Sequence, residues 1–341
     1  MAATQEFNPA IESFLEPILP HLRTHDQRIV DVMIQRPGEV WLQVAGKAGY
    51  QRVPNGRISF EWGMQLCKVL ARTAGLRFDE NHPLVMRTLP GGHRFTGLLG
   101  DRFSTHGLAI SVRVRRHITV DLEKDYNLSH WGARTSRNNA PSAEELAMSA
   151  PDRLRRLIAG HGNILISGGT GTGKTTMMNS LGMVIPSETR VITVEDVQEI
   201  LLPHLGNQVN LTVSRQSGDD EFGYRQIIDV ITRLNPDSIL VQELSVHNAA
   251  PAFRLLNTGH RGFMSTVHAN TPLEALEAWR RNYELSEKRG GETVVRFLAR
   301  NLDAIVQIDF AEDGIHRQAG VVFRGADGVL DLSWRDLLEA A

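Results

Sequence analysis

The chain has 341 residues, 41% of them apolar and 22% charged, with a formal net charge of -2. That balance describes a globular chain with enough residues for two cores, and it excludes a uniformly basic nucleic-acid-binding protein. One cysteine, Cys67, excludes an intrachain disulfide and fits a reducing compartment; its apolar helical surroundings read as core.

The first ten residues, MAATQEFNPA, lack the basic and apolar regions of a secretory signal. No stretch approaches the roughly 18 apolar residues of a spanning helix. Residues 30–44 are strand-like and broken by the turn Arg36-Pro37-Gly38. Ser59 is placed to cap a helix carrying Trp62, Leu66, Val69 and Leu70 on one stripe. Leu108, Ile110, Val112 and Val114 alternate with Ser111, Arg113 and Arg115, which predicts a half-buried strand with one cationic face. These features predict a smaller α+β N-terminal domain over 1–126.

Residues 127–152 are rich in Ser, Asn, Arg and Ala and read as a linker running into a helix. Over 153–341 the rhythm changes. Apolar strands at 164–167, 191–194, 239–241 and 263–267 alternate with helical or loop segments, which predicts an α/β domain with a mainly parallel sheet. Thr271-Pro272-Leu273-Glu274 is a helix start, with Thr at the N-cap, Pro at N1 and Glu at N3.

The chemistry concentrates in Gly168-Gly169-Thr170-Gly171-Thr172-Gly173-Lys174-Thr175, followed by Thr176. This fits G-x-x-x-x-G-K-[ST] between an apolar strand and a helix, the context that a P-loop requires. Glycines let the backbone wrap phosphates with its N–H groups turned inward. The following helix adds its positive end. Lys174 is expected on the β- and γ-phosphates and the Thr175 hydroxyl on Mg²⁺.

Hydrolysis also needs a carboxylate near the attacking water, usually at the end of a neighbouring buried strand. Two strand ends supply candidates: RVITVED, with Glu195, Asp196 and then Glu199, and NPDSILVQE, ending in Glu243. The segment TGHRGFMSTVHAN sets His260 and His268 around a further strand, with no metal-ligand spacing. The role of His268 stays open on composition alone.

Taken in order, GGTGTGKTT, VITVEDVQE, LNPDSILVQE and TGHRGFMSTVHAN resemble the Walker A, Asp box, Walker B and His box of the type II/type IV secretion ATPase superfamily. The N-terminal segments IQRPGEVWLQV, LPGGHRF and ISVRVRR resemble its conjugal-transfer, or P-type DNA transfer, branch. The resemblance covers about residues 12–310.

It implies a homohexameric ring of two-domain subunits that hydrolyse ATP with Mg²⁺, with nucleotide between the domains. Glu243 would polarise the attacking water, Glu195 arrange water and Mg²⁺, and His268 sense the γ-phosphate. Arg94 and Arg113 would approach the terminal phosphates, and Arg233 matches the family's arginine ahead of Pro-Asp. The implied setting is the cytoplasmic face of the inner membrane, with peripheral association and channel components as partners, and without sequence-specific nucleic-acid binding.

The chain departs from the family around Walker B. Gln242 replaces a Gly, Ser245 an Arg, and Asn235 a frequent Arg or Asp; His247 and Asn248 stand where acid is expected. These changes predict slow turnover, relieved by restoring Gly and Arg. The competing readings are a nucleotide-gated scaffold with poor turnover and a nucleic-acid-translocating motor.

Overall fold

Ser59 caps the first long helix as its position predicts, its hydroxyl accepting the Trp62 N–H at 3.0 Å. The structure, a computed structural model, describes residues 9–23, 28–99, 107–116, 142–213, 223–287, 292–312, 317–325 and 329–332. In chain order the first elements are α1 (Pro9–Leu15), α2 (Leu19–Leu22), β1 (Ile29–Ile34), β2 (Glu39–Val44), β3 (Tyr50–Pro54), α3 (Phe60–Arg72), β4 (Leu84–Thr88), β5 (Arg94–Leu99) and β6 (Leu108–Arg113). Then come α4 (Ala143–Ala147), α5 (Ala150–Ala159), β7 (Ile164–Gly168), α6 (Lys174–Gly182), β8 (Val191–Glu195), β9 (Gln208–Thr212) and α7 (Tyr224–Leu234). The last are β10 (Ser238–Val241), α8 (Ala249–Asn257), β11 (Phe263–Val267), α9 (Pro272–Glu287), α10 (Glu292–Asn301), β12 (Ala304–Phe310) and β13 (Arg317–Phe323).

The strands form two sheets. One has six strands in the order β3-β2-β1-β6-β5-β4, every pair antiparallel. The other has seven in the order β13-β12-β7-β11-β10-β8-β9, with β12, β7, β11 and β10 parallel and β13 antiparallel at its edge. By packing, the chain divides into two compact units. Met1–Leu128, Glu188–Ile192 and Gly206–Pro236 make the first, and Ser129–Ser187, Thr193–Leu205 and Asp237–Ala341 the second. Most of the linker expected at 127–152 lies outside the described residues.

In the first unit, α1 to α3 cover one face of the six-stranded sheet. Leu15, Ile18, Leu66, Cys67, Leu70, Ile34, Val112 and Phe95 form a continuous apolar core there. Burial pushes the Cys67 thiol far above its ordinary range, so it is packed and unreactive. The alternation over 108–115 predicts a cationic opposite face on β6. Instead α7 packs on β5 and β6, and Ser111 is only 1% exposed. Arg94, Arg113 and Arg52 on that face stay exposed.

Arg190 anchors this second layer. It is fully buried and donates to Gln35 Oε1 (2.9 Å), Asn207 Oδ1 (2.6 Å) and the Leu234 carbonyl (2.7 Å). A buried guanidinium persists only when it is bonded in this way. A segment encoded after the P-loop thereby covers a face of the N-terminal sheet.

In the second unit the central strands are buried along their whole length, as a parallel sheet with both faces covered requires. Trp279 of α9 is fully buried, stacked on Phe263, and donates its indole N–H to the Ala249 carbonyl. Thr271 caps α9 by accepting the Glu274 N–H at 3.1 Å. The Glu274 carboxylate returns to the Asn270 N–H, one residue earlier than in a standard capping box.

Candidate nucleotide site

Strand β7 delivers the chain at Gly168 into a tight loop that opens α6. A side chain at Gly168 would put its Cβ 2.6 Å from both the Ile308 carbonyl and Thr172 Oγ1, so the close approach to β12 needs glycine. Gly171 and Gly173 hold φ at +76° and +93°, the left-handed region that a wrapped phosphate loop uses. Thr172 donates its hydroxyl to the Gly169 carbonyl at 2.9 Å and closes the loop.

Lys174 points back into this loop. Its Nζ donates to the carbonyls of Gly168 (3.0 Å) and Gly169 (2.8 Å) and to His268 Nδ1 (3.1 Å). Burial lowers its pKa, and the negative charge of Glu243 acts in the opposite sense. Glu243 follows β10, and its Oε1 lies 3.5 Å from His268 Nε2. An ammonium only donates, so Nδ1 of His268 accepts and Nε2 carries the hydrogen facing Glu243. The structure thus brings together three of the residues singled out in sequence: Lys174, His268 and Glu243.

Their backbones are fixed by hydroxyls. Thr266 Oγ1 donates to the Gln242 carbonyl and Ser265 Oγ to the Val241 carbonyl, each at 2.7 Å. Asn248 Nδ2 donates to the Glu243 carbonyl at 2.8 Å, while its Oδ1 accepts the Ser245 N–H. The one sequence signal for Ser265 and Thr266 is a pair of hydroxyls inside an otherwise apolar strand. Spacing gives none for Asn248.

Glu195 is placed differently from its neighbours. It is 1% exposed, and its carboxylate is turned into its own loop. Thr193 Oγ1 donates to one oxygen (2.9 Å), and the N–H groups of Glu199 and Ile200 to the other (2.7 Å each). Burial raises its pKa, and these donors pull it down. Gln242 clamps the same loop: its side-chain amide donates to Glu199 Oε2 (2.9 Å) and its oxygen accepts the Asp196 N–H (3.1 Å). Gln242 therefore has a structural task of its own.

Beside the P-loop lies a cavity of about 480 Å³, lined by Thr172, Thr176, Met177, Ile308, Arg317 and Ala319 among others. Arg317 reaches it from β13, a residue that no sequence motif marks.

In the first unit, Arg94 and Arg113 are directly paired across β5 and β6, and both are exposed. Like charges directly opposite on a sheet repel. Arg113 also pairs with the buried Asp31. Arg233 is exposed in the last turn of α7, where a cation complements the helix dipole.

The family described as Type II/IV secretion system protein matches residues 16–307. The type IV secretion system protein VirB11 of Bartonella henselae is 29% identical over 317 residues, covering 86% of this chain and 87% of its own. The protein VirB11 of Agrobacterium tumefaciens is 26% identical over 342 residues, covering 94% and 96%. The crystal structure of the VirB11 ATPase from the Brucella suis type IV secretion system, in complex with sulphate, covers 98% of both chains with a TM-score of 0.81 at 23% identity, which establishes the shared fold. With the family match spanning most of the chain and the P-loop, Walker B and His-box segments folded around one lysine, this chain belongs to the type II/IV secretion system protein family.

Proposed function

We propose that the chain is an ATP-hydrolysing subunit of a type IV secretion system, working as a homohexamer whose partners are the components of the secretion channel. Among the described residues no helix is long and apolar enough to cross a membrane. A subunit docked peripherally at the cytoplasmic face of the inner membrane agrees with that.

The observation that carries the reading is the Lys174–His268–Glu243 chain beside a P-loop. The backbone N–H groups of residues 169–175 and the positive end of α6 receive the phosphates. Lys174 leaves its carbonyl partners and neutralises the β- and γ-oxygens. The carboxylate of Glu243 orients the attacking water and accepts its proton as the oxygen joins the γ-phosphorus and the bond to the β-bridging oxygen breaks; the products are ADP and phosphate. His268 reports the movement of Lys174 to Glu243. The 480 Å³ cavity against Met177 and Ile308 takes the base and ribose.

Mg²⁺, bound with the nucleotide, supplies charge neutralisation on the phosphate oxygens. The Thr175 hydroxyl, in the first turn of α6, would hold it. Among the described residues no three His, Cys, Asp or Glu side chains gather into a metal cage. The remaining ligands would be phosphate and water, the usual arrangement for Mg²⁺. We assign Glu195 to shaping the 196–200 loop, and Arg94 and Arg113 to the terminal phosphates.

Steady-state phosphate release by the full chain tests the proposal. Mg²⁺- and ATP-dependent release that Lys174→Ala abolishes is expected. Tight binding of a fluorescent ATP analogue by Lys174→Ala, or release unaffected by it, would overturn the assignment.

A further inference from the structure

Six residues, one from each strand, form an unbroken row across the six-stranded sheet. In spatial order they are Thr88, Arg94, Arg113, Asp31, Gln43 and Tyr50, each directly paired with the next. Directly opposed residues project to one face, so the row is a polar stripe on the face opposite the apolar core. At its centre Asp31 is fully buried, while the Arg113 side chain keeps 48% of its surface exposed.

The contact between them uses one edge of the guanidinium. Arg113 Nε donates to Asp31 Oδ1 at 3.1 Å and Nη2 to Oδ2 at 3.2 Å. A buried carboxylate is costly unless it is paired and bonded, and Asn235 completes its shell. Asn235 Nδ2 donates to Asp31 Oδ2 (3.1 Å) and to Gln43 Oε1 (2.9 Å), while Tyr50 Oη donates to the Asn235 carbonyl (3.0 Å). Asn235 holds the left-handed conformation, φ 52° and ψ 60°, at the end of α7.

We infer that Asp31, fixed by Asn235, is the positioning residue for Arg113: it holds the Nε edge and leaves the Nη1 edge of the planar fork presented outward for a phosphate oxygen. The inference rests on the reading of Arg113 given above. A guanidinium is an effective phosphate ligand because its donors lie in a fixed plane. A long side chain on an open strand end fixes that plane only when something grips it. Asp31 supplies the grip and also offsets the repulsion between Arg113 and Arg94 on the neighbouring strand.

The test is a double-mutant cycle on the full chain, reading kcat together with separate ATP and ADP affinities. The variants are Asp31→Asn, Arg113→Gln and both together, with Asn235→Gly as a milder companion, since glycine tolerates the left-handed backbone. Misplacing a group in a reaction site costs up to about a hundredfold, so Asp31→Asn is expected to lower kcat about tenfold and weaken ATP binding. ADP affinity should stay within about twofold, the usual spread of independent effects. In the Arg113→Gln background Asp31→Asn should cost nothing further. Asn235→Gly should lower kcat by a smaller factor, and likewise only when Arg113 is present.

If Asp31→Asn reduces kcat by the same factor with and without Arg113, it acts on the fold and the inference is overturned. Turnover of Asp31→Asn within about twofold of wild type overturns it as well. If thermal melting shows that Asp31→Asn does not fold, the cycle run with Asn235→Gly decides by the same criterion. Equal loss of ATP and ADP binding in Arg113→Gln alone identifies the other failure. That result removes the phosphate role of Arg113 first, and the role of Asp31 with it.

Discussion

Lys174 Nζ lies 3.1 Å from His268 Nδ1, so the lysine that ends the glycine-rich loop is hydrogen-bonded to the histidine that follows β11. The other ring nitrogen faces Glu243 at 3.5 Å. A phosphate that draws Lys174 away changes what His268 accepts and therefore what it offers Glu243. The lysine, the histidine and the carboxylate form one chain of contacts, and in the proposed function its lysine end is the one that phosphate moves.

His268→Gln keeps a polar side chain but breaks the two-sided bridge. It should leave ADP affinity nearly unchanged and lower turnover by at least about tenfold, the low end of losses for positioned polar groups. Equilibrium titration and phosphate release on the same preparation check this. Wild-type turnover would mean that Lys174 and Glu243 act independently.

Gln242→Gly should lower turnover and stability. The family resemblance implies the reverse, because it puts a glycine there. In the structure Gln242 is 9% exposed and its amide spans Glu199 and the Asp196 N–H. Losing two such bonds costs about 1–3 kcal/mol and frees the loop that Glu195 organises. Denaturant melts and phosphate release give the answer. An equally stable, faster Gln242→Gly variant would show that the clamp restrains the enzyme.

These cases mark what could be read from sequence. Strands β7, β8, β10 and β11 are legible because buried parallel strands are apolar runs with punctuated ends. The P-loop is legible because glycine and lysine spacing is itself the geometry. The partnership of α7 with the first sheet is not: α7 follows the P-loop, and the contact depends on Arg190 meeting Gln35, 155 positions away in the chain. The burial of Ser111 follows from that partnership and is no more legible than it. Glu195 reads as a strand-end acid like Glu243. What separates them is the direction of one carboxylate, set by N–H groups at 199 and 200, which no local pattern encodes.

Acid should destabilise the first unit through His93. This side chain is 7% exposed, and its Nδ1 accepts the Arg115 N–H at 3.1 Å. Burial, reinforced by the charge of Arg115, holds its pKa below the ordinary histidine value. The folded form therefore binds a proton less readily than the unfolded chain. The resulting stability is fully present above the unfolded value of about 6.5 and is lost as pH falls through the lower folded value. His21 and His260, also lowered by burial, act in the same sense. Melting temperature should fall from pH 7.5 toward about pH 5.5, and His93→Gln should flatten part of the slope. An unchanged slope in that variant would assign the acid sensitivity to other groups.

The central claim, that Glu243 activates water for ATP hydrolysis at this P-loop, meets its most direct test in Glu243→Gln. The exchange keeps the shape and removes the charge that orients and deprotonates water. The measurement is single-turnover phosphate release at saturating ATP, beside a binding titration on the same sample. ATP should bind about as well as to wild type, while release falls by about 10²–10⁴. Release within a few-fold of wild type, with binding intact, would contradict the assignment and place the water-activating group elsewhere.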